Sequence, residues 1–416
     1  LNHIGIIGAI AGIGSNRFDR RCVCAIKAVV GPKSTAGPYL WPFTRGKVFD
    51  TNAAQARLAM NITRHGRATM NLKELSLRLN LSPTTVSRAL NGYPEVNAAT
   101  RERVEAAAKR YDYQPNSRAI RLATGRSHAV GYVISGTLKN EIMNPIFSDF
   151  IAGAGEVHSL EDIDMLLSVV SAEDEENAYR SMKAKGNVDG VIVQGLRRED
   201  PRIPLLCQIG LPFVAHGRAT GTKEEYSWVD VNNRRAFQRA SEYLLDLGHR
   251  RIALINGAES FDFAFRRRTG YVDALNDRGI TPNPTLMTSG EMTENSGYVA
   301  ARQMLGFDHP PTAFLASSML SGMGVRRAIE AQGLTLGRDV SVIIFDDDLS
   351  YLRNGADTAI FTATRSSVRE AGRIVAEMLM RLIANPGGPP EHRLLEAELI
   401  IGQSTGPAPK VMNPGR

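Results

Sequence analysis

From Ser127 to about Ser404 the chain alternates short apolar runs with stretches of helical period, and this alternation restricts the fold more than any other feature of the sequence. The apolar runs fall at residues 129–134, 165–170, 190–193, 251–255, 313–316 and 340–345. Strands alternating with helices imply a parallel sheet, because a parallel neighbour needs a long crossover and a helix supplies one. The span is long for one such sheet. Two similar α/β lobes over residues 128–405, with a cleft between them, are therefore expected. The tail, residues 406–416, is Gly- and Pro-rich and is expected to fray.

Ahead of this body, residues 70–114 read as short helices. Leu72, Leu75 and Leu79 recur at i, i+3 and i+7, one apolar stripe of a helix. Asn80 and Leu81 make a turn. Ser82 is a suitable N-cap, and Pro83 is tolerated at the first helical position, where the N–H has no partner in any case. Val86 and Leu90 turn the second helix onto the first, which leaves Thr84, Thr85, Ser87 and Arg88 facing outward or sideways. Thr84 and Arg88 share a face, and a guanidinium matches the edge of guanine. Thr85 and Ser87 suit phosphates. A helix of this build is a candidate for the major groove, and Asn91 at its end belongs to the same DNA-facing set. Asn97 caps a third helix whose Val104, Ala107, Ala108 and Tyr111 close a small core. Pro115 ends that unit. Residues 115–127 form a linker in which Asn116 caps a short helix carrying Arg118, Ala119, Arg121 and Leu122. So short a helix is unstable alone and is expected to fold only against a partner, with Leu122 as a minor-groove wedge.

Charge supports a polyanion at one end of the chain. Residues 1–69 hold ten Lys/Arg against two Asp/Glu, residues 70–127 ten against five, and the remainder 30 against 36. A basic front on a mildly acidic body suits contact with nucleic acid through the front alone. Residues 1–69 themselves show no sustained period and are punctuated by Gly and Pro. They are expected to be disordered, an over-called start with translation beginning at Met60 or Met70. The apolar opening of the chain has no basic residue before it and no clear cleavage site behind it, which disfavours a secretory signal. Cys22, Cys24 and Cys207 make no disulfide framework, so a reducing compartment is expected. No apolar run is long enough for a membrane span.

The run 71–122, with "SPTTVSRALN", "TRERVEAAAKRYDYQPN" and "AIRLATGRS" in order, resembles the DNA-binding headpiece and hinge of the LacI/GalR family of bacterial regulators. The resemblance implies a homodimer or higher oligomer on a palindromic double-stranded operator, in the bacterial cytoplasm and associated with the nucleoid. It puts Thr84, Arg88 and Pro83 on base-reading positions, and Ala119 and Leu122 in the minor groove. Pro83 departs from the larger polar residues often found there. "VDVNN", "LGHRRIALING", "RRRTGYVDAL" and "GRDVSVIIFDDD" resemble landmarks of a two-lobed, periplasmic-binding-protein-like body whose lobes are joined by three crossovers. That likeness implies a small-molecule effector, a sugar, held by Arg267 and Asp346, with Asn144 and Phe147 beside the cleft. Ser317-Ser318 stands where the family commonly has Asn-Asp. The stretch 212–218 resembles regulators of α-glucoside uptake.

Other signals are weak. The early glycines do not make a dinucleotide fingerprint, and residues 217–223 lack phosphate-loop spacing. Three consecutive acids at 346–348 do not converge on a metal, no catalytic constellation is visible, and no cofactor is called for. His216-Gly217-Arg218 ends an apolar run and either lines the cleft or forms an ordinary loop, the loop being the favoured reading. The expected protein is a carbohydrate-responsive repressor and not an enzyme. A transporter-type solute-binding protein is the alternative that the headpiece argues against.

Overall fold

The computed structural model describes residues 70–113, 125–135 and 144–410. The expectations for residues 1–69 and for the linker residues Asn116, Ala119 and Leu122 fall outside these.

Residues 70–113 fold as α1 (Leu72–Leu79), α2 (Pro83–Leu90) and α3 (Ala98–Arg110). Asn71 begins α1 with a reciprocal cap: its Oδ1 accepts from the Glu74 N–H at 3.0 Å, and the Glu74 carboxylate accepts from the Asn71 N–H at 3.3 Å. The helix stops at Asn80, whose φ of 50° is one that asparagine tolerates. Ser82 then accepts from the Thr85 N–H, with Pro83 leading α2. Leu75, Val86, Ala89 and Val104 are fully buried at the centre, and Leu72, Leu79, Leu90 and Tyr111 pack around them. Arg103 of α3 donates to the Leu79 carbonyl at 2.8 Å and so closes the far end of α1.

The body has two six-stranded sheets. In the first, β1 (Ala129–Ser135), β2 (Asp164–Val170), β3 (Gly190–Gln194), β4 (Phe213–His216), β5 (Ser227–Val231) and β11 (His392–Leu395) are all parallel, in the order β11-β5-β4-β3-β1-β2. In the second, β6 (Ile252–Gly257), β7 (Met287–Gly290), β8 (Ala313–Ala316), β9 (Ser341–Asp346) and β10 (Thr362–Arg365) are parallel, and β12 (Glu398–Ile400) pairs antiparallel with β10. Central strands such as β6 and β9 are buried along their whole length, as a sheet covered on both faces requires.

The chain crosses between lobes three times. After β5 it enters the second lobe as α7 (Asn233–Asp246), whose Phe237, Ala240 and Leu244 pack on β6, β8 and β9. After β10 it returns as α11 (Val368–Ala384), which covers β1, β3 and β4 with Val375 and Leu379. The step from β11 to β12 is the third crossing. In the second lobe α7 lies against α8 (Asp262–Asp277) at Gly270, where a Cβ would stand 2.0 Å from the Arg234 carbonyl oxygen. Only glycine permits that approach.

The tail does not fray from residue 406. Gly406 N–H donates to Ser341 Oγ at 3.1 Å, and Ala408 N–H to the Leu247 carbonyl at 2.9 Å. Buried His249 and Ser341 find partners in this backbone, which holds it through Ala408.

Candidate functional site

On α2 the outward face carries Ser82, Pro83, Thr84, Arg88 and Asn91, all exposed. Thr85 and Ser87 are half-buried. The reason is helical geometry: Val86 and Ala89 take the inward positions, so Thr84 and Arg88, four apart, take the outward one. Two of the set are already engaged within the protein. Ser82 Oγ caps the helix, and Asn91 Nδ2 donates to the Ser87 carbonyl at 2.8 Å. The Arg88 guanidinium makes no hydrogen bond or ion pair among the described residues, so nothing in this helical unit competes with another molecule for it. The geometry offers a short helix with a polar edge and one free guanidinium, the minimum for reading a base edge.

The second site is the cleft between the lobes, a cavity of about 500 Å³. Strand ends and helix starts of both lobes line it, as open α/β sheets dictate. Of the residues singled out from the sequence, Asn144, Phe147, Arg267 and Ser317 all line this space. Asn144 Oδ1 accepts from the Ile146 N–H and so caps α4 (Pro145–Leu160), which places Phe147 in the first turn against the cavity.

Arg267 projects from the middle of α8. It is 5% exposed, and its Nε donates to Asn233 Oδ1 at 2.7 Å and its Nη1 to the Ser317 carbonyl at 2.6 Å. Its guanidinium lies 3.8 Å from the centre of the Phe345 ring, with Phe263 and Phe237 farther out. Burial lowers its pKa to about 10, opposed by the nearby carboxylates of Asp347 and Asp230, and it remains a cation at neutral pH. Among the described residues no carboxylate forms an ion pair with it, so its charge is only partly balanced there.

Asp346 is not among the lining residues. It is the last residue of β9, 2% exposed, and one of its oxygens pairs with Arg365 of β10 at 3.0 Å. The other accepts from the Asp348 N–H at 3.0 Å. With both oxygens engaged in ending the strand, the next residue, Asp347, turns to the cavity instead. Burial pushes the Asp347 carboxyl up to about 7, with Arg267 pulling it down and Asp346 adding to the rise. Ser317 Oγ donates to Asn256 Oδ1 at 2.7 Å, and Ser318 Oγ accepts from the Ser321 N–H at the start of α10 (Met319–Ala331). Both hydroxyls therefore serve the protein, and what Ser317 contributes to the cleft is the carbonyl that steadies Arg267.

Of the two readings open for 216–218, the cleft wall is the one the structure takes: His216 and Arg218 line the cavity, His216 stacked on Phe150 at 4.7 Å and Arg218 paired with Asp230 at 2.7 Å. Asp230 and Asn233 belong to the noted "VDVNN" landmark, which was the available signal. Phe261, just before α8, and Phe263, in its first turn, precede Arg267, and nothing in their spacing separates them from core. The walls are mostly apolar, with Leu196, Met292, Leu320 and Leu349 beside the aromatic rings. The polar groups gather around Arg267, Asn233, Asp347 and Asp230. Such a space suits a molecule with apolar faces and a hydroxylated edge.

A helix-turn-helix followed by two parallel-sheet lobes around a cleft defines a class, the ligand-responsive DNA-binding regulators. Residues 71–116 match the family described as bacterial regulatory proteins, lacI family, and residues 241–405 match the periplasmic binding protein-like domain. The HTH-type transcriptional regulator AglR of Rhizobium meliloti (strain 1021) is 45% identical over 342 residues, 82% of this chain and 95% of that protein. A structure described as the transcriptional regulator CelR-cellobiose complex has a TM-score of 0.60 at 29% identity, over 80% of this chain and 99% of that one. The lac repressor dimer bound to operator and the anti-inducer ONPF has a TM-score of 0.71 at 25% identity, over 81% and 99%. This chain belongs to the lacI family and is a DNA-binding transcription regulator. Among its described residues no helix is long and apolar enough to cross a membrane.

Proposed function

We propose that the protein represses genes for carbohydrate use, binding a palindromic operator as a homodimer and releasing it when an uncharged sugar fills the cleft. The observation that carries this is the pairing of Arg267 and Asp347 on one wall of the cavity, each facing the space without an ion pair. A guanidinium donor and a carboxylate acceptor side by side match the alternating donors and acceptors of vicinal hydroxyls. The apolar rings opposite suit the C–H faces of a pyranose. Asp347 near Arg267, and Asp230 paired with Arg218, put a carboxyl group beside each cation of the cleft, which favours an uncharged ligand over a sugar phosphate or uronate.

Cellobiose in the CelR complex makes an oligosaccharide the natural class to test, and the likeness of residues 212–218 to α-glucoside regulators makes maltose, sucrose and trehalose the first candidates. Dimerisation is supported by edge strand β2, which exposes Met165, Leu167 and Val169 on the outside of its sheet. An unpaired apolar edge of this kind asks for a cover, and a second copy supplies it.

The mechanism is linkage. A sugar that binds one lobe arrangement better than the other weakens operator binding by the difference, typically about 1–3 kcal/mol. Selecting duplexes from a random pool with the full chain tests the reading. An enriched inverted repeat is expected, and a pool with no enriched site contradicts it. A thermal-shift screen of neutral disaccharides beside sugar phosphates tests the effector, and stabilisation by the phosphates alone would reverse the proposed class.

A further inference from the structure

Beside the cleft, Asp262 sits where three segments of the two lobes meet, and it is 1% exposed. It opens α8 in the second lobe, and its N–H donates across the cleft to the Leu196 carbonyl of the first lobe at 2.9 Å. Its neighbour Phe261 forms a lone antiparallel bridge with Arg197. Its Oδ1 accepts from both the N–H, at 3.2 Å, and the hydroxyl of Thr220, which lies in the loop between β4 and β5. Its Oδ2 accepts from Arg266 one turn along α8, and Arg266 Nη2 in turn donates to Thr220 Oγ1 at 3.1 Å. The two first-lobe loops are themselves joined, Gly221 N–H donating to the Arg198 carbonyl at 2.7 Å. Arg198 completes the contact by lying 4.1 Å over the Phe265 ring of α8.

We infer that Asp262 is a positioning residue for effector binding: it latches the two lobes at the rim of the cleft and thereby fixes Phe261 and Leu196 as cavity walls. Asp262 does not line the cavity, whereas Phe261, Phe263 and Leu196 do. A carboxylate with so little exposure is stable only with its hydrogen bonds made, so opening the lobes must either resolvate it or leave it unmatched. That penalty falls on the open arrangement alone. Gly195, with φ of +60°, brings its backbone under Phe261, where a Cβ would lie 3.6 Å from the ring, so the latch and the wall move together. The inference rests on the reading of the cleft as the effector site. Its first test needs no effector.

The test uses the full chain with Cys22, Cys24 and Cys207 replaced by Ser, spin labels on cysteines placed at Ala184 and Asp277, and an excess of unlabelled chain. Pulsed dipolar spectroscopy then reports the distance between lobes. The parent is expected to give one narrow distribution, and Thr220→Val and Asp262→Asn to give broader, longer ones. Thr220→Val lies outside any helix, so it separates the latch from a role of Asp262 in starting α8. Unchanged distributions in both variants would overturn the inference. In operator release by whichever of maltose, sucrose, trehalose or cellobiose acts on the parent, the half-effect concentration is expected to rise about tenfold, the value of one hydrogen bond to a charged group. By the same linkage, the latched arrangement is the one that holds sugar, so operator affinity without sugar is expected to stay level or tighten, never to weaken. A lengthened distance with an unmoved half-effect concentration would also overturn it, while failure of every sugar on the parent would sink the proposed effector class and leave the distance measurement decisive for the latch.

Discussion

Replacing Arg267 with Met keeps the unbranched stem in the second lobe and removes the guanidinium. Two hydrogen bonds from a charged donor disappear, to Asn233 at 2.7 Å and to the Ser317 carbonyl at 2.6 Å. Each contributes about 1.5–3 kcal/mol. The contact with Phe345 at 3.8 Å adds about 2 kcal/mol where water is excluded. Against these stands the several kcal/mol, by rough estimate, of holding a cation out of water with no ion pair. The balance is a fold destabilised by only about 1–3 kcal/mol, which the variant should survive. Effector binding has no such offset, because the lost donor faces the ligand. Loss of one charged hydrogen bond weakens the sugar by about 10- to 100-fold. The assay is fluorescence anisotropy of a labelled operator duplex titrated with the sugar, alongside a melting curve. A release midpoint displaced at least about tenfold, with sugar-free operator affinity unchanged, is expected. Release at the parent's midpoint would remove Arg267 from the site. A parallel loss of operator affinity in a well-folded variant would refute the separation of the two sites.

Three further outcomes are expected. Arg88→Ala should weaken operator binding by about 1–3 kcal/mol and relax preference at one base pair of each half-site, and an unchanged selected sequence would deny it a base contact. His158 is 1% exposed, neither ring nitrogen is hydrogen-bonded among the described residues, and burial lowers its pKa to about 4. The folded state therefore prefers the neutral ring, so stability is intact above pH 6.5 and falls as pH drops toward 4. Melting at pH 7 and pH 5 should show His158→Leu losing about 2 kcal/mol less than the parent across that interval, and equal losses would contradict it. Gly270→Ala should destabilise by about 3 kcal/mol or more, since the added methyl meets the Arg234 carbonyl and two helices must part. A denaturant midpoint equal to the parent's would show that the helices yield freely.

The fold was legible where periodicity was strong. The six apolar runs became β1, β2, β3, β6, β8 and β9, and the leucine stripe at Leu72, Leu75 and Leu79 became α1. Strands β10, β11 and β12 are short and carry polar residues such as Thr362, Arg365, His392, Arg393 and Glu398, so no apolar run marks them and only their neighbours define them. The outward face of α2 could be read because Val86 and Leu90 set the rotation of the helix, although the structure buries Ala89 beside Val86 and leaves Leu90 half-buried. The cleft was harder. Arg267 came from its motif, but the choice between Asp346 and Asp347 depends on how a strand ends. Arg365, nineteen residues away, takes Asp346 out of the cavity and no local pattern announces it. His216 and Arg218 were left undecided between loop and wall for a related reason. They lie at the end of a four-residue strand, which becomes a cleft wall only once the second lobe stands opposite.

Coupling between the two sites can be measured directly. With the selected operator held in excess competitor DNA, the dissociation constant of the full chain is determined without sugar and at saturating sugar, and the sugar's own affinity is determined with and without operator. Reciprocal weakening by the same factor in both directions is the predicted result, since linkage admits no other. Tight, specific operator binding that no neutral sugar alters, in a protein that nonetheless binds one of them in its cleft, would contradict the coupling.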